Sequence, residues 1–446
     1  MPLSLIRTMN IYQEWGFLDS PFQVTPLPPS ELGENLLVGR EKELVSLSRK
    51  LFNPPKIATV EGLNGVGKTS LVNVAAFKAY RNCLSGWNGP LLIPCNKVFQ
   101  LDTSKGADEF IEEVLMAVAQ TLIDRAKAIK GLGDSIKTGA IDRWLNSPQV
   151  SALQGGFSIA GNGANIGGNA ETNTSSGFER SGFRKEIESW LLQLFPTQND
   201  GGVICVIDNL ELLQTSDTVR LLLEQLRDRL LVLPGLRWVL CGALGIVLGT
   251  VSSPRLEGFL HAPIEVGGVD DALSAEIYRS RLTAYADSEA QDGYMPLCLE
   301  DFEALYNILH RNLRSTLGRA DNFCQWVAEQ DLPQTLDEKR SAFSDWLNAE
   351  ASAALTAAQS ALKPRAWEVF SVAIGLGGVF SPSDFHEFSF NSPMALRPHV
   401  KDLEDAGLLV STQDVGDKRR KTIQVTPKGW LVKYAQDQSE TVAYAT

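Results

Sequence analysis

Histidine is scarce in this chain, with 4 in 446 residues, and none of its six cysteines stands in a C-x-x-C pair. That argues against a zinc centre and against a disulfide scaffold. Cys83, Cys95, Cys205, Cys241, Cys298 and Cys324 lie far apart, several in apolar runs, and read as reduced core residues. Basic charge is also short: Lys+Arg 41 against Asp+Glu 53 gives a formal net charge of -12. Such a field repels nucleic-acid phosphate, so any DNA contact requires a local basic patch. No apolar run is long enough for a bilayer, since the most apolar stretch, Trp238 to Val251, is broken by Gly242, Gly245 and Gly249. Met1 to Gly16 lacks the apolar core of a signal peptide. The expectation is a cytoplasmic protein with no membrane partner. What is present, 44% hydrophobic, 21% charged and 8% aromatic residues, is ordinary folded composition, and the length suggests roughly two to four domains.

Five segments follow from the patterning. Residues 1–35 form a lead-in rich in proline and aromatics, which proline holds out of helix. Residues 36–268 alternate helical stretches with continuously apolar strands at Lys56–Val60, Val98–Leu101, Val203–Ile207 and Trp238–Cys241, the pattern of a parallel sheet covered on both faces. Within them, 130–182 shift to Gly, Asn, Ser and Thr and read as a flexible insertion or as a β-hairpin. Residues 269–330 are helical, 331–361 are a polar, Ala-rich helical connector, and 362–446 form a further compact unit.

The strongest signal is Gly62-Leu63-Asn64-Gly65-Val66-Gly67-Lys68-Thr69, which fits G-x-x-x-x-G-K-[ST] between an apolar strand and a helix. The glycines let backbone N–H groups turn inward around a phosphate, and the following helix start adds a favourable dipole. Lys68 is expected on the β- and γ-phosphates, Thr69 on Mg2+ and Ser70 near the α-phosphate. The strand Val203–Ile207 ends in Asp208, an acid suited to hold Mg2+ through water. Glu211, three residues on, reads either as the base that orients an attacking water or as an exposed first-turn helix residue.

These two motifs, with the lead-in Leu37-Val38-Gly39-Arg40-Glu41-Lys42-Glu43-Leu44, resemble the AAA+ and STAND classes of P-loop ATPases, in particular the origin-recognition-like branch. The resemblance implies an ATP/ADP and Mg2+ site with Val38 and Gly39 beside the base and Asn64, Gly65, Val66 and Gly67 around the phosphates. Arg40 and Glu41 read either as ligand contacts or as charge at a helix start. It also implies Arg255, in the loop before the last core strand, as a finger toward a neighbouring subunit, and Arg314, after Asn312-Leu313, as an in-cis phosphate contact. Either arginine also reads as a surface ion-pair residue. The chain departs from the AAA+ pattern in carrying Asp208-Asn209 where Asp-Glu is usual, and Cys241-Gly242-Ala243 at the sensor-1 position. Low turnover, or binding alone, is the expectation.

From 362 onward, three helices and a hairpin resemble a MarR-like winged helix, through Leu403–Leu409 and Thr426-Pro427-Lys428-Gly429. Ten basic and ten acidic residues balance over 361–446, yet Lys418, Arg419, Arg420 and Lys421 cluster, with Lys428 and Lys433 following. That wing suits DNA phosphates, with Arg397, His399 and Lys401 toward the groove. Asp402, Glu404 and Asp405 oppose it, and Pro398 is expected to interrupt the recognition helix. The expected fold is therefore α/β, a P-loop NTPase core with a parallel sheet, a helical lid and a C-terminal winged helix. The expected function is a nucleotide switch acting on DNA binding or oligomer assembly. The alternative is a STAND-type regulatory ATPase whose winged helix meets a partner protein.

Overall fold

Five parallel strands build the central sheet: β1 (Ala58–Gly62), β2 (Leu91–Gln100), β3 (Gly201–Asp208), β4 (Leu236–Gly242) and β5 (Ile264–Val266), in the order β2-β3-β4-β1-β5. The computed structural model describes residues 10–86, 89–102, 104–132, 136–146, 180–210, 216–243, 256, 258–290, 293–413 and 421–445. Every residue of β3 is buried, and its side chains alternate between two cores. Val203, Cys205 and Ile207 face one and Ile204 and Val206 the other, which is why its sequence is apolar without a polar face. β2 starts seven residues before the expected strand. Pro94 falls inside β2, which an edge strand tolerates, and a register shift between Pro94 and Val98 absorbs the irregularity.

Helices cover both faces. After the short α1 (Ile11–Glu14) and α2 (Glu31–Leu36), α3 (Glu41–Leu51) and α4 (Lys68–Leu84) pack Leu47, Leu51, Leu71, Val72 and Ala75 on one side. On the other lie α5 (Ala107–Gly131), α6 (Gly139–Asn146), α7 (Arg180–Leu194) and α8 (Ser216–Leu226), with Phe110, Val114, Ile187, Trp190 and Leu223 inward. The expected insertion 130–182 carries α6 near its start and the first residues of α7 at its end, and 147–179 between them lie outside the described residues.

A second core belongs to α9 (Ser274–Tyr285), α10 (Leu299–Ile308) and α11 (Leu313–Ala328). The lead-in is not held wholly out of helix as expected, since α1 and most of α2 lie within it where no proline stands. It enters this second core. Tyr12, Trp15, Phe17 and Phe22 are buried there, and both the Tyr12 hydroxyl (2.6 Å) and the Ser20 hydroxyl (2.8 Å) donate to Asp321 Oδ1. Burial pushes the Tyr12 phenol well above its ordinary pKa. α12 (Leu336–Ala361) opens with a Thr335–Glu338 capping box. It places Phe343, Trp346, Leu347 and Ala351 in this core and Ala358 in the next, so it is shared by two cores along its length.

The C-terminal unit holds α13 (Pro364–Gly375), α14 (Pro393–Asp405), α15 (Pro427–Ala445) and an antiparallel sheet ordered β6 (Val379–Phe380), β8 (Lys421–Val425), β7 (Leu409–Gln413). It is the expected winged helix, with one correction: α14 runs through Pro398 without a break. Pro398 is the sixth residue of the helix, so the carbonyl it leaves without an N–H is that of Met394, whose residue is 82% exposed and open to water. α15 turns back onto the lid, burying Leu431 and Ala435 in the second core.

Candidate functional site

β1 delivers its C-terminal end into the phosphate loop. A Cβ on Gly62 would meet the Val266 carbonyl oxygen at 2.2 Å, so β5 crowds the loop's first position. Gly65 (φ 86°) and Gly67 (φ 96°) are left-handed, where other residues are strained. Their surroundings differ. A Cβ on Gly65 would lie 2.6 Å from Asn312 Oδ1, whereas Gly67 has open space on that side.

Gly67 is also the N-cap of α4, and no side chain caps the helix there. The first N–H groups of α4 therefore face an open cradle, the arrangement that takes a phosphate. Lys68, 6% exposed, donates to the carbonyls of Gly62 (3.0 Å) and Leu63 (3.1 Å), so its ammonium has carbonyl partners and no carboxylate neutralising it among the described residues. Thr69 Oγ1 donates to Asp208 Oδ2 at 2.5 Å, although β4 separates β1 from β3 in the sheet. Asp208 Oδ1 accepts from the N–H of Asn209 at 2.9 Å, which leaves the carboxylate fixed at the mouth of the loop. A hydroxyl and a carboxylate so paired suit a hydrated Mg2+ that takes its other ligands from phosphate and water. No group of three or more metal-ligating side chains occurs among the described residues.

The loop opens into a cleft walled by the lead-in on one side and by the lid on the other. Val38 lines it, with Leu27, Leu36, Val269, Ile277 and Leu317, and gives it an apolar end. Gly39 (φ 70°) turns under this wall, since a Cβ there would lie 2.6 Å from Leu273 Cδ1 and 2.9 Å from Val269 Cγ1. Asn64, Val66 and Ser70 also line the cleft. The Ser70 hydroxyl accepts the N–H of Leu27 at 3.0 Å, a structural duty that the motif does not reveal.

Arg40 also lines the cleft, with its guanidinium engaged by the protein itself. At 4% exposure it donates from Nη2 to Val66 O (3.0 Å) and Gly267 O (2.6 Å) and from Nη1 to Glu43 (3.0 Å), tying the loop to the exit of β5. Arg314 lines the cleft, and its backbone N–H reaches Gly65 O at 3.2 Å. Glu211 and Arg255 lie outside the described residues.

Sequence reasoning missed three parts of this site. Asn312 caps α11, accepting from Ser315 N (3.0 Å), while its Nδ2 donates to Asn64 O (2.9 Å); an Asn before a helix is a visible capping signal, but its second contact is long-range. Gln23 to Leu27 of the lead-in form a cleft wall, which only the tertiary fold reveals. Arg281 is a buried cation on that wall, with no local pattern to mark it.

On the winged helix, Arg397 and Lys401 are exposed on one face of α14 and have no ion pair among the described residues. His399 instead stacks on Phe390 (5.3 Å), with Nδ1 buried, so it does not face a groove. Lys428 caps the end of α14 by donating to Ala406 O (2.9 Å) and keeps its charge at the surface, whereas Lys433 pairs with Asp437 and drops out of the free basic patch. Lys418, Arg419 and Arg420 lie outside the described residues; Lys421 opens β8. Among the described residues no helix is long and apolar enough to cross a membrane.

No protein-family model matches the chain, and no curated relative does. Among solved structures it is similar to the ORC2 protein of Aeropyrum pernix in ADPNP-ADP complexes, at 11% identity and TM-score 0.44 over 95% of this chain and 98% of that one. It is also similar to the ORC1 protein of Aeropyrum pernix in complex with DNA, at 14% identity and TM-score 0.42 over 96% and 98%. A third is Cdc6p from Pyrobaculum aerophilum, at 14% identity and TM-score 0.36 over 94% and 98%.

Proposed function

We propose that the protein is an ATP-binding, slowly hydrolysing switch whose nucleotide state governs DNA binding by its winged helix or its assembly into an oligomer. One observation carries the reading: the segment 310–314 touches both ends of the machine. On one side Asn312 and Arg314 hold the phosphate loop through Asn64 O and Gly65 O. On the other the His310 ring stacks on Trp430 of α15, with centroids 4.2 Å apart and planes at 10°. Burial, with Arg311 adjacent, keeps the His310 pKa below its ordinary value, so the stacked ring is neutral at pH 7. His310 (φ 52°) and Arg311 (φ 61°) are both left-handed, and Arg311 is held by an ion pair to Asp271. Two adjacent non-glycine residues in that region persist only when their surroundings hold them there, at a cost of about 1–3 kcal/mol each.

In this reading the cradle at Gly65 to Thr69 binds the phosphates, Lys68 neutralises them, and Thr69 with Asp208 holds Mg2+, which when bound spreads the charge of the β- and γ-phosphates. Arg314 senses the γ-phosphate, and its loss after hydrolysis weakens the lid's hold on the loop. Glu211 is proposed as the water-orienting group and Arg255 as the contact to a second copy. DNA titrations and sedimentation of the chain, each with Mg-ATP and with Mg-ADP, test the switch: equal DNA affinities together with an equal oligomeric state in both would overturn it. A second reading is favoured by the burial of Leu431 and Ala435 in the lid core, which ties α15 to the ATPase unit. The winged helix then serves as an internal or protein-contact module of a STAND-type regulator, marked by tightly retained ADP and by no salt-sensitive DNA binding.

A further inference from the structure

Two arginines are buried along the cleft to the same 4% exposure, and they differ in what meets them. Arg40 is met by three acceptors, one of them the Glu43 carboxylate. Arg281, on α9, donates from Nη1 to Pro21 O (2.9 Å) and Gln23 O (3.3 Å), while its Nε finds no acceptor. No carboxylate pairs with it among the described residues. Burial lowers its pKa to about 10, so it remains a cation at neutral pH. A buried cation with a donor left over is costly unless something else supplies the acceptor.

Its place in the cleft says what that something is. Arg281 stands one helical turn beyond Ile277, which packs with Val38 and Val269 at the apolar end. The carbonyls it holds belong to the lead-in, which continues through Val24 to Leu27 and ends at Ser70, at the start of α4. With phosphates on the Gly67 cradle, the base and sugar of a nucleotide lie toward this wall.

Resting on the nucleotide reading above, we infer that Arg281 is a ligand-contacting residue, whose guanidinium donates to an acceptor atom at the base-and-sugar end of the nucleotide while holding the lead-in closed beside it. Arg281 then helps to select what is attached to the phosphates, as Lys68 selects the phosphates themselves.

Calorimetric titration with Mg-ATP, Mg-ribose 5-triphosphate and Mg-tripolyphosphate tests this on the full chain. Arg281→Gln is expected to weaken ATP about tenfold, the loss of one charge-assisted hydrogen bond, and to leave tripolyphosphate unchanged. If ribose 5-triphosphate weakens with ATP, the acceptor is on the sugar; if it stays unchanged with tripolyphosphate, the acceptor is on the base. Arg281→Lys keeps the charge and a donor for the lead-in carbonyls, and serves should the glutamine variant not fold; a smaller loss of ATP affinity, with tripolyphosphate again unchanged, is expected. Equal weakening of all three ligands, or of none, would show that Arg281 only holds the lead-in and would overturn the inference. A wild-type chain that binds none of the three would instead sink the nucleotide reading itself.

Discussion

In the proposed reading the phosphate loop and the outer face of α14 both meet phosphate, and they are built in opposite ways. Around the loop the polar groups are buried and paired within the protein: Lys68 with two carbonyls, Thr69 with Asp208, Arg40 with Val66 and Gly267. On α14, Arg397 and Lys401 are exposed beside Met394. The loop offers inward backbone N–H groups and one buried cation, Lys68, which act at short range. The helix offers charge at long range, screened over a Debye length of about 8 Å in physiological salt. The two surfaces should therefore fail differently when altered.

The largest effect is expected at Lys68. Removing one member of a buried charge pair costs about 2–5 kcal/mol, roughly 30- to 5000-fold in affinity. Lys68→Ala should reduce ATP binding by that factor in a calorimetric titration, with the DNA affinity of the nucleotide-free chain unchanged. Loss of both together would blur the distinction between the two surfaces. Next comes the helix face. Arg397→Glu with Lys401→Glu should lower the slope of log affinity against log salt by about 1 for each phosphate that the helix no longer neutralises. ATP binding should stay as in wild type. If the slope does not move, the α14 face is a protein-contact surface and the second reading is strengthened.

The loop is legible in sequence because its chemistry requires fixed residue types at fixed spacing: Gly65 and Gly67 for left-handed backbone, Lys68 and Thr69 at a helix start. Asp208 is legible because β3 is apolar up to its last residue. The role of Arg40 is not, because its partners Val66 and Gly267 are remote in sequence and meet it only after β1 and β5 pair. The same holds for Asn312, whose cap is local and whose grip on Asn64 is not. β2 reads short in sequence because Pro94 argues against a strand unless the strand is known to lie at an edge. Among the basic residues, Lys433 counts as free charge in sequence, and only its partner Asp437 shows otherwise.

Gly65→Ala should have a middling effect. The left-handed backbone alone costs about 1–2 kcal/mol for alanine, and the new methyl would collide with Asn312 Oδ1 at 2.6 Å. The loop must then yield its hold on the lid. ATP affinity is expected to fall about tenfold, and the nucleotide dependence of DNA binding to shrink with it. Gly67→Ala, strained alike but facing open space, should weaken ATP binding while the lid contact survives. Matching DNA profiles for the two variants would refute this separation.

The smallest effect tests the connection between the two surfaces. His310 belongs neither to the cleft lining nor to α14; its ring stacks on Trp430. A stacked aromatic pair contributes about 0.5–1.5 kcal/mol beyond its buried area. His310→Ala should therefore leave ATP binding within about twofold of wild type and DNA binding without nucleotide nearly unchanged. The ratio of DNA affinities in ATP and ADP should fall by roughly two- to tenfold, the same energy read as coupling. His310→Phe restores a neutral ring of similar size and should recover most of the ratio. That recovery separates stacking from a general loosening of the left-handed turn, because phenylalanine is no easier to hold at positive φ than histidine. If both variants lose the ratio equally, the turn itself carries the coupling and Trp430 is only packing against it.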